Sequence, residues 1–88
     1  MLLSVLPDAA PGAARTGIVT SRRVGGAVER NRVRRRLREI VRAERARLLP
    51  GAWFVIVARH RAVEAAFGEL RAEWQRLVRR AGAFVPEI

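Results

Sequence analysis

Residues 27–48 read AVERNRVRRRLREIVRAERARL, and the spacing within this stretch decides the fold class. Projected at about 100° per residue, Val33, Leu37, Ile40, Val41 and Leu48 fall on one stripe. Asn31, Arg34, Arg35, Arg38, Arg42 and Arg45 fall on the opposite side. The period predicts an amphipathic helix over 27–48, stopped by Pro50 and Gly51. Glu44 lies close to the apolar stripe, and the expectation is that the helix overhangs its core there. Upstream, Gly25 and Gly26 interrupt the chain, and residues 16–22 alternate as a strand does. Thr16, Ile18 and Thr20 point one way, Val19 and Ser21 the other. Residues 2–6 read as a short strand ended by Pro7, and residues 8–14, with Pro11 and Gly12, as a loop.

Downstream, residues 53–58 are a continuous apolar run of β-prone residues. Trp53, Val55 and Val57 face one side and Phe54, Ile56 and Ala58 the other. A strand apolar on both faces is central and covered on both. A second amphipathic helix is predicted over 62–81, with Val63, Phe67, Leu70, Trp74, Leu77, Val78 and Ala81 on its stripe. Gly68 in mid-helix costs about 1 kcal/mol relative to alanine. The order is strand, strand, helix, strand, helix. The order fits an α+β or α/β sandwich; the expectation is α+β, a small mixed sheet packed with two helices, in which a candidate βαβ crossover carries the arginine-rich helix. The strand at 53–58 asks for cover on both faces, yet there are two helices. Either they divide between the faces or one face stays partly open.

Composition bounds what such a fold does. The chain has 88 residues and a formal net charge of +10, with no cysteine. Its length suits one small domain. Without cysteine there is neither a disulfide scaffold nor a zinc finger. An apolar fraction of 50% is too high for a disordered basic tail. No apolar run reaches the roughly 20 residues that span a bilayer, and the apolar residues 1–6 lack the basic leader of a signal peptide. A folded, strongly basic domain takes a polyanionic partner, and nucleic acid fits first. All 18 basic side chains are arginine. A GC-rich coding bias and selection for the phosphate-gripping guanidinium fork both account for that, and they are compatible.

The placement of the arginines is more informative than their number. Residues 22–47 hold 11 arginines against the three acids Glu29, Glu39 and Glu44. Arg30, Arg34, Arg38 and Arg42 follow one another at i, i+4, where like charges repel. Arg30 and Arg32 also stand in the first turns, where the helix dipole disfavours cations. A bound polyanion offsets these local costs, and the release of its counterions makes binding strongly salt-dependent. A membrane-surface helix fits less well, because the opposite stripe reads as core. A helix-turn-helix needs a second helix just before the recognition helix, and here a strand and two glycines precede it. The shape therefore favours folded RNA over DNA. Catalytic motifs are absent: there is no phosphate-binding loop, no H-E-x-x-H and no cysteine nucleophile. His60 reads as a surface loop residue with no acid beside it. Asp8 and Glu29 are candidate metal ligands, but nothing in their spacing demands a metal.

The segment from Val24 to Arg38, V-G-G-A-V-E-R-N-R-V-R-R-R-L-R, resembles the signature of the bacterial ribonuclease P protein subunit. Val24, Ala27, Arg30, Asn31, Arg32, Val33, Arg34, Arg35, Leu37 and Arg38 fill its positions in order and without a gap. The resemblance extends over residues 16–82. It implies a ribosomal protein S5 domain 2-like sandwich with a left-handed crossover, the rare exception to the rule for such units. It implies as partners a catalytic RNA subunit and precursor tRNA, with neither membrane nor DNA, in the cytoplasm. The RNA carries the chemistry, metal-assisted phosphodiester hydrolysis that removes the 5′ leader; magnesium belongs to the RNA, and the protein holds no cofactor. By the same resemblance Arg30, Asn31, Arg32, Arg34, Arg35 and Arg38 lie on the catalytic RNA. Arg22 and Arg23 take the place of basic residues that end the preceding strand. A general RNA-binding or ribosome-associated protein is the alternative.

Members of that family carry a further N-terminal stretch, a helix that lines the 5′-leader groove together with one sheet face. Residues 2–6 resemble the tail of the strand that follows it. The expectation is therefore a chain short by about one helix, through a mis-assigned start, a natural truncation or a fragment. It includes an exposed, aggregation-prone strip formed by Phe54, Ile56 and their neighbours.

Overall fold

The computed structural model describes residues 1–9 and 11–85. Strands β1 (Leu2–Leu6), β2 (Arg15–Thr20) and β3 (Trp53–Ala58) form one mixed sheet in the order β1-β3-β2. β1 runs antiparallel to β3, and β2 runs parallel to it. The parallel pair needs a crossover, and helix α1 (Ala27–Glu44) supplies it. Helices α2 (Arg61–Glu64) and α3 (Phe67–Arg80) follow the central strand.

The pairing register sorts the side chains by face. Thr16, Ile18 and Thr20 of β2 stand beside Phe54, Ile56 and Ala58 of β3, and Val5 and Leu3 of β1 flank Phe54 and Ile56 from the other side. This face carries all the helices. Phe54 and Ile56 are fully buried with Val33, Leu37, Ile40 and Val41 of α1 and Leu70, Trp74 and Val78 of α3. The Phe54 and Trp74 rings meet at 6.2 Å and a tilt of 55°, a favourable aromatic geometry. The opposite face, with Leu2, Leu6, Val19 and Trp53, is between 42% and 52% exposed at those four residues. The cover question is thereby answered: one face is fully covered and the other open. The exposed strip is Trp53 and its neighbours, not Phe54 and Ile56. The pleat sends odd-numbered residues of β3 outward, so an apolar run alone does not tell the two faces apart.

Four element boundaries differ from the sequence expectation. β2 ends at Thr20, and Arg22–Val24 form a 3₁₀ turn that buries Val24. α1 ends at Glu44 and passes into a second 3₁₀ turn, Arg45–Arg47. Leu48 is buried as expected, but as an extended residue bridged to Phe84 rather than as a helical one. The segment predicted as one helix over 62–81 is broken at Ala65 and Ala66, both extended. Two long side chains hold the break. Arg36 Nη1 donates to the Ala65 carbonyl at 3.0 Å, and the Ala66 N–H donates to Glu69 Oε1 at 3.1 Å. Gly68 consequently sits in the first turn of α3, not in mid-helix. Phe67 and Ala81, expected on the buried stripe, are exposed.

Glu44 also departs from expectation. It is 5% exposed and lies inside the fold. Its Oε2 accepts the Trp74 indole N–H at 3.0 Å, its Oε1 accepts from Gln75 Nε2, and Arg71 Nε lies 4.0 Å away. A buried carboxylate is tolerated where donors surround it, and α3 brings three of them.

Candidate nucleic-acid interface

α1 is set in place from both ends. At its start, Gly25 has φ 151°, a backbone conformation that suits glycine, and a Cβ there would meet the Glu29 side chain. Gly26 is the extended N-cap residue, and its carbonyl accepts the first helical bond from the Arg30 N–H. At its end, the Glu44 contacts tie the helix to α3. Between these points one flank of α1 packs beside β2 and the other beside α2 and α3. The remaining face is free.

That face carries the predicted site. Asn31, Arg32, Arg35 and Arg38 are exposed along α1, and Arg22 and Arg23 are exposed on the 3₁₀ turn before it. Arg30 and Arg34 are half-buried instead of facing fully outward. The reason is geometric. Arg30 lies seven residues before Leu37, two turns back on the core-facing side, and Arg34 lies seven before Val41. The Nε of Arg30 is buried and finds no hydrogen-bond partner among the described residues. The guanidiniums of Arg32, Arg35 and Arg38 make no ion pair with any described residue. Unneutralised like charges at this density constitute a surface prepared for an anion.

Arg36 belongs to the same stretch but not to this surface. It turns to the opposite flank and closes the α2–α3 break through the Ala65 carbonyl. Arg42 and Arg45 are exposed further along, and with Arg38 they line a groove against β2. Their spacing continues the Arg38 row at i+4 and i+7, which is the sequence signal that marks them.

No acid–base constellation accompanies the arginines. Among the described residues no three His, Asp or Glu side chains come together. His60 does have an acid beside it, contrary to the sequence reading: Glu64 Oε1 lies 3.6 Å from its Nε2, with both side chains largely exposed. His60 is the residue preceding α2 and is itself helical, so Glu64 stands one turn on. Among the described residues no helix is long and apolar enough to cross a membrane.

Comparison with known proteins gives a consistent set of relatives. A family model described as Ribonuclease P matches residues 1–82. The ribonuclease P protein component of Roseiflexus castenholzii is 49% identical over 69 residues, covering 77% of this chain and 57% of that protein. The protein of the same name from Desulfovibrio desulfuricans is 48% identical, covering 97% of this chain and 68% of that one. The chain thus spans less than two thirds of the length of some of its curated relatives. Among solved structures, the RNase P protein of Thermotoga maritima superposes with a TM-score of 0.77 at 27% identity, covering 89% of this chain and 74% of that one. The Staphylococcus aureus RNase P protein does so at 0.82 and 21%, covering 93% and 74%, a likeness of fold alone.

Proposed function

The chain belongs to the ribonuclease P protein family, and from that premise we propose that it is the accessory protein subunit of a ribonucleoprotein endonuclease that removes the 5′ leader of precursor tRNA. The observation that carries this reading is the row of exposed arginines on α1, Arg32, Arg35 and Arg38, none of them ion-paired among the described residues. Such a surface is suited to binding phosphates. The hydrolysis then falls to the RNA subunit, with magnesium held there.

In this role Asn31, Arg32, Arg35 and Arg38, with Arg22 and Arg23 beside the helix start, take the phosphates of the catalytic RNA. Arg30 and Arg34, half-buried, meet it at the base of the helix. Arginine is suited to both tasks, because its fork binds phosphate bidentately and needs little dehydration. Each phosphate neutralised by a fixed guanidinium is one that no longer recruits a mobile cation, which lowers the magnesium needed to bring two RNAs together. The open sheet face offers something different. Trp53 presents an aromatic ring beside Arg15, its register partner on β2. A base stacked on the ring with its phosphate at the arginine is how single strands are commonly held, and we assign this face to the precursor's leader. The reading places the protein in the cytoplasm, where tRNA matures.

The test is cleavage of a precursor tRNA by ribonuclease P RNA at a magnesium concentration too low for the RNA alone. The chain should restore cleavage there. Tight RNA binding with no effect on cleavage, while a longer family member restores it, would instead indicate a general RNA-binding protein.

A further inference from the structure

We propose that the RNA track does not end with the signature at Arg38 but continues into the groove between α1 and β2, where Arg38, Arg42 and Arg45 receive the phosphates of one further backbone segment. This rests on the RNA-subunit reading above and extends it to residues outside the signature.

The groove has a volume of about 450 Å³ and is bounded on one side by Thr16, Gly17 and Ile18 and on the other by the three arginines. No carboxylate lines it, and none of the three guanidiniums has an ion-pair or hydrogen-bond partner among the described residues. Arg38 and Arg42 are one turn apart and repel each other. The helix dipole accounts for positive charge in the last turn of α1, but it is indifferent to which side of the helix that charge occupies. Here Arg42 and Arg45 both line the groove on the β2 side.

Two features identify the occupant as a nucleic-acid backbone. Arg38 belongs both to the signature row and to the groove, so the two surfaces are continuous. From Arg38 to Arg45 is roughly 10 Å of helix axis, over which one strand of a duplex carries about three phosphates. The opposite wall is an edge strand, since among the described residues β2 pairs only with β3. Unpaired amides of such an edge are further donors to phosphate. An acidic extended peptide could also pair with that edge, but it would have no relation to the signature row.

The experiment compares the wild-type chain with two double variants, Arg42→Gln/Arg45→Gln in the groove and Arg32→Gln/Arg35→Gln in the signature. Binding to a ribonuclease P RNA transcript is measured across a salt series, with circular dichroism to establish that each variant is folded. The groove variant should lower the slope of log affinity against log salt by roughly 1.4–1.8, the loss of two phosphate contacts. The charge-preserving Arg42→Lys/Arg45→Lys variant should keep most of the slope. If the groove variant keeps the wild-type slope while the signature variant loses it, the inference is wrong and the RNA-subunit reading stands. If the wild-type chain shows no salt-dependent RNA binding, both fall together. Loss of binding to a polyglutamate peptide with an unchanged RNA slope would also overturn the inference, in favour of a protein partner.

Discussion

Glu44→Ala should be among the most destabilising single substitutions in this chain. The carboxylate is buried and accepts from the Trp74 indole at 3.0 Å and from Gln75, with Arg71 at 4.0 Å. Removing it takes away the indole N–H's acceptor, and Trp74 is fully buried. Leaving one buried donor unsatisfied costs about 1–3 kcal/mol, and a hydrogen bond to a charged acceptor lies at the upper end of that range. The space left behind adds to it, giving about 3 kcal/mol in all. Against a stability of roughly 4–13 kcal/mol for a domain of this length, that is a large fraction. It corresponds to a fall in Tm of roughly 12–24 °C. Thermal melts followed by circular dichroism provide the measurement, and a double-mutant cycle with Trp74→Phe isolates the pair. The coupling should be about 1–2 kcal/mol. A Tm lowered by less than about 4 °C, corresponding to under about 1 kcal/mol, or a coupling of zero, would refute the claim that this contact pins the end of α1 to α3.

Two further substitutions separate structure from binding. Leu37→Ala removes a fully buried side chain from the core face of α1 and should cost about 2–5 kcal/mol, read as a lower denaturant midpoint; full stability would place the core on another face. Arg36→Ala removes the cap on the Ala65 carbonyl and should cost about 1 kcal/mol. Its RNA affinity should keep the wild-type salt slope, because Arg36 is turned away from the interface; a reduced slope would return it to the binding face.

The core of α1 and the central position of β3 were legible because each follows from one short-range pattern. Leu37 and Val41 repeat at helical spacing, and Phe54 and Ile56 belong to a run that is apolar on both faces, the mark of a central strand. The break between α2 and α3 was not legible. The apolar stripe runs straight across Ala65 and Ala66, and the groups that hold the break open are Glu69 and an arginine 29 residues earlier in the chain. Glu44 was misjudged for the same reason, since its donors lie on α3 and the helical projection of α1 alone cannot supply them. The open sheet face required the strand register, which decides that Trp53 and Val57 look outward while Phe54 and Ile56 look inward. Within the site, the wheel reads Asn31, Arg35, Arg38, Arg42 and Arg45 correctly as exposed. It places Arg34 outward, but Arg34 is half-buried because it lies seven residues before Val41, as Arg30 is half-buried seven before Leu37.

The central claim is that the arginine face of α1 binds RNA through its phosphates. Equilibrium binding of a ribonuclease P RNA transcript to the Arg32→Ala/Arg35→Ala variant, measured across a salt series beside the wild type, tests it most directly. The account predicts a folded variant whose log–log salt slope is shallower by roughly 1.4–1.8. A slope identical to that of the wild type would contradict it.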